Sequence, residues 1–450
     1  SMALGTTKKL LLSLSVAAAL GVSGTAFADG DRVEELESRI AELEALVHEL
    51  MKRPAPVEDT CCTNIDEKTA AIAEEKVTAI LAAHEAAEAE KVHKHSYKFG
   101  GYVKLDAMYS DYSGGTVATG KPGRDFHIPG TVPVGVAGES YTDFHAKESR
   151  INFKSTHNLD NGAKMTTFVE LDFLATNDGN ERVSNSYSPR LRHAFFTYNK
   201  WLFGQTWMTF FNVGALPENL DFVGPAESTI FGRQAMIRYT TGNWQFAAEN
   251  PETTITPYGG GRIVADDNVL PDLVARYNWK WDGGNLTVAG IFRELAYENN
   301  SAGIDESTNG YGVSASGKFM FGRNDLRWMV STGSGLGRYM GLNTANGAFL
   351  DMDGNLEAID STGGFVSWRQ FWNDKWRSNF TLGYLTVDND TEEMGTAGVT
   401  SEASSFHVNL IYSPVPKMDF GIEYMHANRE VESGVDGDLD RIKFSAKYSY

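Results

Sequence analysis

The sequence predicts an all-β transmembrane barrel of about sixteen antiparallel strands, preceded by a periplasmic α-helical coiled coil. Three observations carry this. Aromatic residues make up 12% of the chain and 45 of its 450 residues are Gly, which favours strands and tight turns. The apolar period switches from 3.5 to 2 near Tyr97 and keeps that value to Tyr450. The terminal segment alternates Ile442, Phe444, Ala446, Tyr448 and Tyr450, resembling the C-terminal signal of barrels inserted into a bacterial outer membrane. Mean hydropathy is −0.31 and the one long apolar run is N-terminal, so a polytopic helical membrane protein is excluded. A net charge of −19 removes nucleic acid as a partner. Two adjacent cysteines supply neither a disulfide framework nor a four-Cys zinc site.

Residues 1–28 read as a secretory signal peptide: Lys8 and Lys9, an apolar run from Leu10 to Val22, then Ala26-Phe27-Ala28. Residues 29–54 form the coiled coil. Val33, Leu36, Ile40, Leu43, Val47 and Leu50 recur at alternating spacings of 3 and 4, the seam of a heptad repeat. The choice of core residues leans towards a dimer, whereas Arg39-Ile40-Ala41-Glu42-Leu43-Glu44 resembles a trimer-specifying pattern. Pro54 and Pro56 stop the helix. Residues 55–96 are a linker and an Ala/Glu-rich helical spacer. Cys61 and Cys62 lie in it, and after export they are candidates for disulfides between chains. The stalk is also the segment expected to reach peptidoglycan.

Residues 97–450 are the barrel. Val103, Leu105, Ala107 and Tyr109 alternate with Lys104, Asp106, Met108 and Ser110; Phe406, Val408, Leu410 and Tyr412 alternate in the same way. Short turns, among them Asp160-Asn161-Gly162, Asn199-Lys200 and Asn373-Asp374, join the strands at one end and longer polar loops at the other. That asymmetry belongs to outer-membrane barrels. Closure satisfies every backbone group in lipid, which an open sheet cannot do.

Charge is distributed unevenly. Residues 29–96 carry 17 acidic and 8 basic side chains, and residues 97–450 carry 42 and 30. Within the barrel the acids concentrate in the long loops, leaving strands and tight turns with an excess of bases. Alternation aims many of these bases inward, because an Arg facing lipid near the midplane costs roughly 2–4 kcal/mol. Lys104, Arg150, Lys154, Arg192, Arg233, Arg238 and Arg276 are the candidate pore-lining set. Cations lining a pore attract anions, and Arg grips carboxylates bidentately.

Phe99-Gly100-Gly101-Tyr102-Val103-Lys104-Leu105-Asp106, Gly123-Arg124-Asp125-Phe126, Ser149-Arg150-Ile151-Asn152-Phe153 and Phe203-Gly204-Gln205-Thr206-Trp207, in this order along the chain, resemble the DcaP-like porins. The resemblance implies a homotrimer of sixteen-stranded barrels in the outer membrane, passing small anions and dicarboxylates especially. It also implies that the third long loop, about Phe211 to Ser228, folds into the lumen. Its Glu218, Asp221 and Glu227 would then face Arg150, Arg192, Arg233 and Arg238.

The reading is a passive channel for small anionic solutes, with outer-membrane lipid and further copies of the chain as partners. Two alternatives stand beside it. A sugar-type or general porin would use Tyr102, Phe168, Phe196 and Tyr198 as inward aromatics. An envelope tether would use the barrel only as an anchor. No enzyme is expected, since His193 and His407 lie near no convincing nucleophile. No cofactor or metal site is expected either; His93-Lys94-His95 lacks a carboxylate in fixed register. Asp351-Met352-Asp353-Gly354-Asn355 departs from a calcium-binding loop because its Gly is fourth instead of sixth, which leaves loop calcium as the alternative to an Asp-Gly turn.

Overall fold

The computed structural model describes residues 95–176 and 178–450. The signal peptide, the coiled-coil seam, Cys61, Cys62 and nearly all of the spacer lie outside the described residues. The wall is built from β1 (His95–Tyr112), β2 (Ser140–His145), β3 (Arg150–Asn158), β4 (Lys164–Asp172), β5 (Arg190–Tyr198) and β6 (Trp201–Trp207). It continues with β7 (Arg233–Thr241), β8 (Trp244–Glu249), β9 (Asp272–Trp281), β10 (Gly284–Asn299), β11 (Ile304–Phe321) and β12 (Asn324–Ser334). It ends with β13 (Asp360–Phe371), β14 (Trp376–Asp388), β15 (Thr400–Tyr412), β16 (Met418–Val431) and β17 (Asp436–Ser449). One half of β1 pairs with β3 and the other with β2, so these two are a single strand broken at residues 146–149. The wall therefore has sixteen antiparallel strands. It closes where β1 meets β17, from Tyr102 opposite Ser449 to Tyr112 opposite Leu439.

The period of 2 sets the two faces. On β14, Phe380, Leu382 and Tyr384 are exposed, whereas Asn379, Thr381 and Leu385 are buried. Ile442, Phe444 and Tyr448 repeat this on β17. These exposed apolar rows form the lipid-facing band, since lipid is the solvent they suit. Exposed Trp201, Trp244, Trp279, Trp281, Trp372 and Trp376 cluster at the tight-turn end, as an interfacial girdle does. The tight turns have the conformation that two-residue hairpins require: Asn199 has φ 53° and Gly242 φ 57°. At the other end the connections are long except at 300–303 and 432–435. There the ladders of β10 with β11 and β16 with β17 run almost to the tip, Asn299 pairing with Ile304.

One irregularity overturns a sequence expectation. A bulge between Glu170 and Leu171 on β4 places His193 opposite Glu170 and Leu191 opposite Leu171. The extra residue reverses the alternation along β5. Phe195 then pairs with Phe168, while Phe196 and Tyr198 share the opposite face with Thr167 and Met165 and are exposed. Phe196 and Tyr198 thus point outward, not into the lumen.

Inside the wall, the loop 208–232 folds inward. Its Phe210, Phe211, Ala226 and Ile230 are buried against Met329, Phe365 and Leu385 of the wall. Burial of this apolar surface, not the loop's few regular turns, holds its interior shape.

The outer-face assignment predicts a depth-dependent cost. Leu382→Arg should destabilise the barrel in lipid vesicles by about 2–4 kcal/mol, measured by denaturant unfolding. Thr386→Arg, in the same outward row but nearer the rim, should cost only about 0–1 kcal/mol.

Candidate solute site in the barrel lumen

A loop crossing the lumen brings backbone carbonyls and N–H groups that must find partners once water is displaced. The wall supplies them as charged side chains. Arg238 donates to the Trp207 carbonyl and, at 2.7 Å, to Thr209 Oγ1. Arg276 Nη1 donates to Phe211 O at 2.6 Å and Arg327 Nη1 to Leu216 O at 2.5 Å. Lys104 Nζ reaches Leu220 O at 3.0 Å and Glu148 Oε2 at 2.6 Å. Glu423 on β16 takes the complementary role, accepting from Leu220 N at 2.8 Å, Asp221 N at 3.0 Å and Asn219 Nδ2 at 3.1 Å. Such charge-assisted bonds are roughly twice as strong as neutral ones. Lys104, Arg238 and Arg276, expected to meet solute, are therefore engaged in seating the loop. Lys154 is exposed on β3, opposite Lys98 and Phe168, away from the other bases of the set.

The acids of the loop do not face the arginines they were expected to oppose. Glu218 pairs with Arg377 Nη2 at 2.6 Å and with Arg369 Nη1 at 3.3 Å. Burial pushes its carboxyl up, but the Arg377 and Arg369 guanidiniums outweigh this and hold it below the usual carboxylate range. Asp221 accepts from His127 N at 3.1 Å and lies 3.9 Å from Arg441. Glu227 accepts from Ser405 Oγ at 2.7 Å, with His127 Nε2 at 3.3 Å. The reason is the course of the loop: this stretch leans on β13–β17 and on His127 of the first long loop, and its acids are taken by donors there.

The arginines on the other wall form a cluster of their own. Arg190 grips Asp172 bidentately at 2.8 and 2.7 Å. Arg192, fully buried, bonds Glu170 at 2.7 Å and Asp172 at 2.9 Å. Arg150 Nη1 stands 3.8 Å from Glu170, and Arg233 stacks on Trp207 at 4.6 Å. Four guanidiniums thus share two carboxylates, and among the described residues Arg150 Nε and Arg233 Nη1 are buried without hydrogen-bond partners. The β5 bulge contributes, because it lets Arg192 and His193 both turn towards β4 and β6, His193 Nδ1 lying 3.0 Å from Thr206 Oγ1. The loop meets this cluster with a ring: the Phe222 centroid is 5.5–5.8 Å from the guanidiniums of Arg150, Arg190 and Arg192. Beside it lies a cavity of about 250 Å³, lined among others by Tyr102, Arg150, Phe222, Arg377, Asp419 and Lys447.

Three contributors escaped the sequence reading. Arg190 was legible, two residues from Arg192 on an alternating strand. Glu423 and Phe222 carried no signal, because their roles depend on where a distant segment arrives. At the loop turn, Asp351 accepts from Asp353 N, Asn355 N and Asn355 Nδ2 at 2.6–2.9 Å, so its carboxylate serves its own turn. Among the described residues, no group of three or more His, Cys, Asp or Glu side chains is placed to hold a metal ion.

Residues 63–450 match the model of the family described as DcaP outer membrane protein. Comparison with curated protein sequences yields no match. Among solved structures, the outer membrane channel DcaP of Acinetobacter baumannii aligns with a TM-score of 0.65 at 23% identity, covering 80% of this chain and 98% of that one. OmpT of Vibrio cholerae gives a TM-score of 0.48 at 10% identity, over 79% of this chain and 98% of that one. An anion-selective porin from Comamonas acidovorans gives 0.47 at 9% identity, over 79% and 100%.

Two outcomes are expected from the seating of the loop. Glu423→Ala removes the acceptor of the buried Leu220 N and Asp221 N and of Asn219 Nδ2 and Asn409 Nδ2, each buried donor left unpaired costing about 1–3 kcal/mol. Single-channel recordings should then show larger and noisier conductance, and Glu423→Gln an intermediate effect. Glu218 is the acid test. Its carboxyl is depressed in the folded loop, so its contribution is present above the ordinary carboxylate pKa and lost as pH falls through the lower, folded value. Current noise should rise on acidification below the ordinary carboxylate range, and Glu218→Gln should show that noise already at neutral pH.

Proposed function

The chain belongs to the DcaP outer membrane protein family, and from that premise we propose that it lets small anionic solutes, dicarboxylates in particular, diffuse passively across the outer membrane. Its barrel is an outer-membrane porin, a channel by family and fold. The observation that carries the anionic reading is the cluster of four guanidiniums against two carboxylates, with two buried N–H groups unpaired. Buried guanidinium donors of that kind favour a carboxylate over a neutral solute, because the anion adds the attraction of opposite charges and can be gripped bidentately.

The acidic character of the whole chain does not cancel this. Glu430 lies seven residues beyond Glu423 on β16, about 23 Å at the usual strand rise. That exceeds two Debye lengths at physiological salt, about 8 Å each. Acids at the rim therefore contribute little field at the constriction. A sugar-type channel is less well supported, since Phe196 and Tyr198 face outward.

Self-association as a homotrimer is part of the proposal. All nine Trp lie between residues 201 and 376, so the contiguous arc β15–β17 and β1–β5 has none. Exposed Phe99, Phe144 and Ile151 lie on that arc. In this reading the Trp-free arc, whose exposed aromatics are Phe and Tyr, is the face offered to another barrel. The N-terminal stalk is part of the proposal as a periplasmic segment.

Reversal potentials in planar bilayers under a salt gradient test the reading, and anion preference is the expected result; clear cation preference refutes it. Arg150→Ala and Arg233→Ala should each slow dicarboxylate flux more than flux of a neutral sugar of similar size. Equal slowing would mean that these side chains act on pore shape alone.

A further inference from the structure

The loop segment over the arginine cluster presents no carboxylate, although Glu218, Asp221 and Glu227 lie within five residues of Phe222. It presents the Phe222 ring. We propose that this ring is a displaceable occupant of the anion site, so that Phe222 determines how strongly the channel holds an anion in transit. The proposal rests on the anion-channel reading above.

The ring lies 5.5 Å from the Arg192 guanidinium, 5.6 Å from that of Arg190 and 5.8 Å from that of Arg150. An aromatic face carries a negative quadrupole but no net charge, so it satisfies cations only in part. It also accepts no conventional hydrogen bond, and Arg150 Nε beside it stays buried and unpaired among the described residues. A carboxylate does both. Phe222 and Arg150 line the same cavity of about 250 Å³, together with Lys104, Arg377 and Lys447 and the carboxylates Glu148, Glu218, Asp221 and Asp419, so an anion arriving there meets the cluster at Arg150 and the ring.

The surroundings allow the exchange without opening the loop. Residues 219–221 are pinned by Glu423. Gly224, at φ 83°, turns the chain so closely that an added Cβ would come within 2.6 Å of Asn219. The backbone is therefore set on both sides, and the movement required is a rotation of one side chain. Phe126 of the first long loop, 5.1 Å away, and Phe231, 5.7 Å away, offer apolar surface against which the rotated ring can lean. An anion thus competes with a weak built-in ligand. Passage needs such a balance, since binding must be firm enough to admit the solute and loose enough to release it.

The test compares wild type, Phe222→Ala and Phe222→Trp in planar bilayers, with malonate as the anionic probe and sucrose as the neutral one. Gel mobility of unheated and heated samples identifies folded barrels. In Phe222→Ala, the malonate concentration that half-blocks the chloride current should fall at least about threefold, the scale of losing a cation–π competitor. Sucrose permeation should change no more than the open-channel conductance does, and Phe222→Trp should stay near wild type. Weaker or unchanged malonate block in Phe222→Ala overturns the proposal, because the ring would then be holding the guanidiniums in place or doing nothing. Equal changes for malonate and sucrose overturn it too, leaving a purely steric role. Cation preference in the wild type would instead remove the anion-channel reading, whatever the variants do.

Discussion

The backbone N–H and C=O groups of the lipid-facing wall, and again those of the loop that crosses the lumen, have to be satisfied without relying on bulk water. The wall meets the requirement by closure, with β1 hydrogen-bonded to β17 so that no edge is left. The loop has no ladder to join. It depends on side chains that reach in from the wall: Arg238, Arg276, Arg327 and Lys104 donate to its carbonyls, and Glu423 accepts from its N–H groups. Much of the inward charge therefore exists to support backbone. Without it, the constriction would be an unsupported segment in an open pore.

This division of labour explains how an acidic chain presents a basic constriction. Buried charges are tolerated when paired and costly when not. Most inward bases are matched, Glu218 by Arg369 and Arg377, Asp272 by Arg293, and Asp106 and Glu148 by Lys104 and Lys443. The mismatch is local, at Arg150, Arg190, Arg192 and Arg233, where two carboxylates serve four cations. The loop's own acids would have cancelled it had they turned that way. They turn to the opposite wall instead, and aromatic rings are left facing the guanidiniums. The excess positive charge is thus a product of loop routing as much as of composition.

The sequence by itself determined the barrel, its strand number and the outward rows, because a strand's side chains alternate with period 2 and lipid penalises any other phase. Ile442, Phe444 and Tyr448 could be placed from the alternation alone, and so could the inward direction of Arg150, Arg238 and Arg276. It did not reveal which bases remain free for a solute. Arg238 and Arg276 look like Arg150 in sequence, and only the position of Trp207 O and Phe211 O distinguishes them. The β5 bulge was hidden as well, since one inserted residue reverses the phase without altering composition, and Phe196 and Tyr198 change sides as a result. Phe222 and Glu423 had no local signal at all. Their roles come from contacts between separate segments, some two hundred residues apart where Glu423 holds the N–H of Leu220 and some thirty to seventy where Phe222 meets Arg192, Arg190 and Arg150. Alternation is a local rule and is readable along the chain; hydrogen-bond partnership inside the lumen is a three-dimensional assignment, and only the tertiary structure makes it.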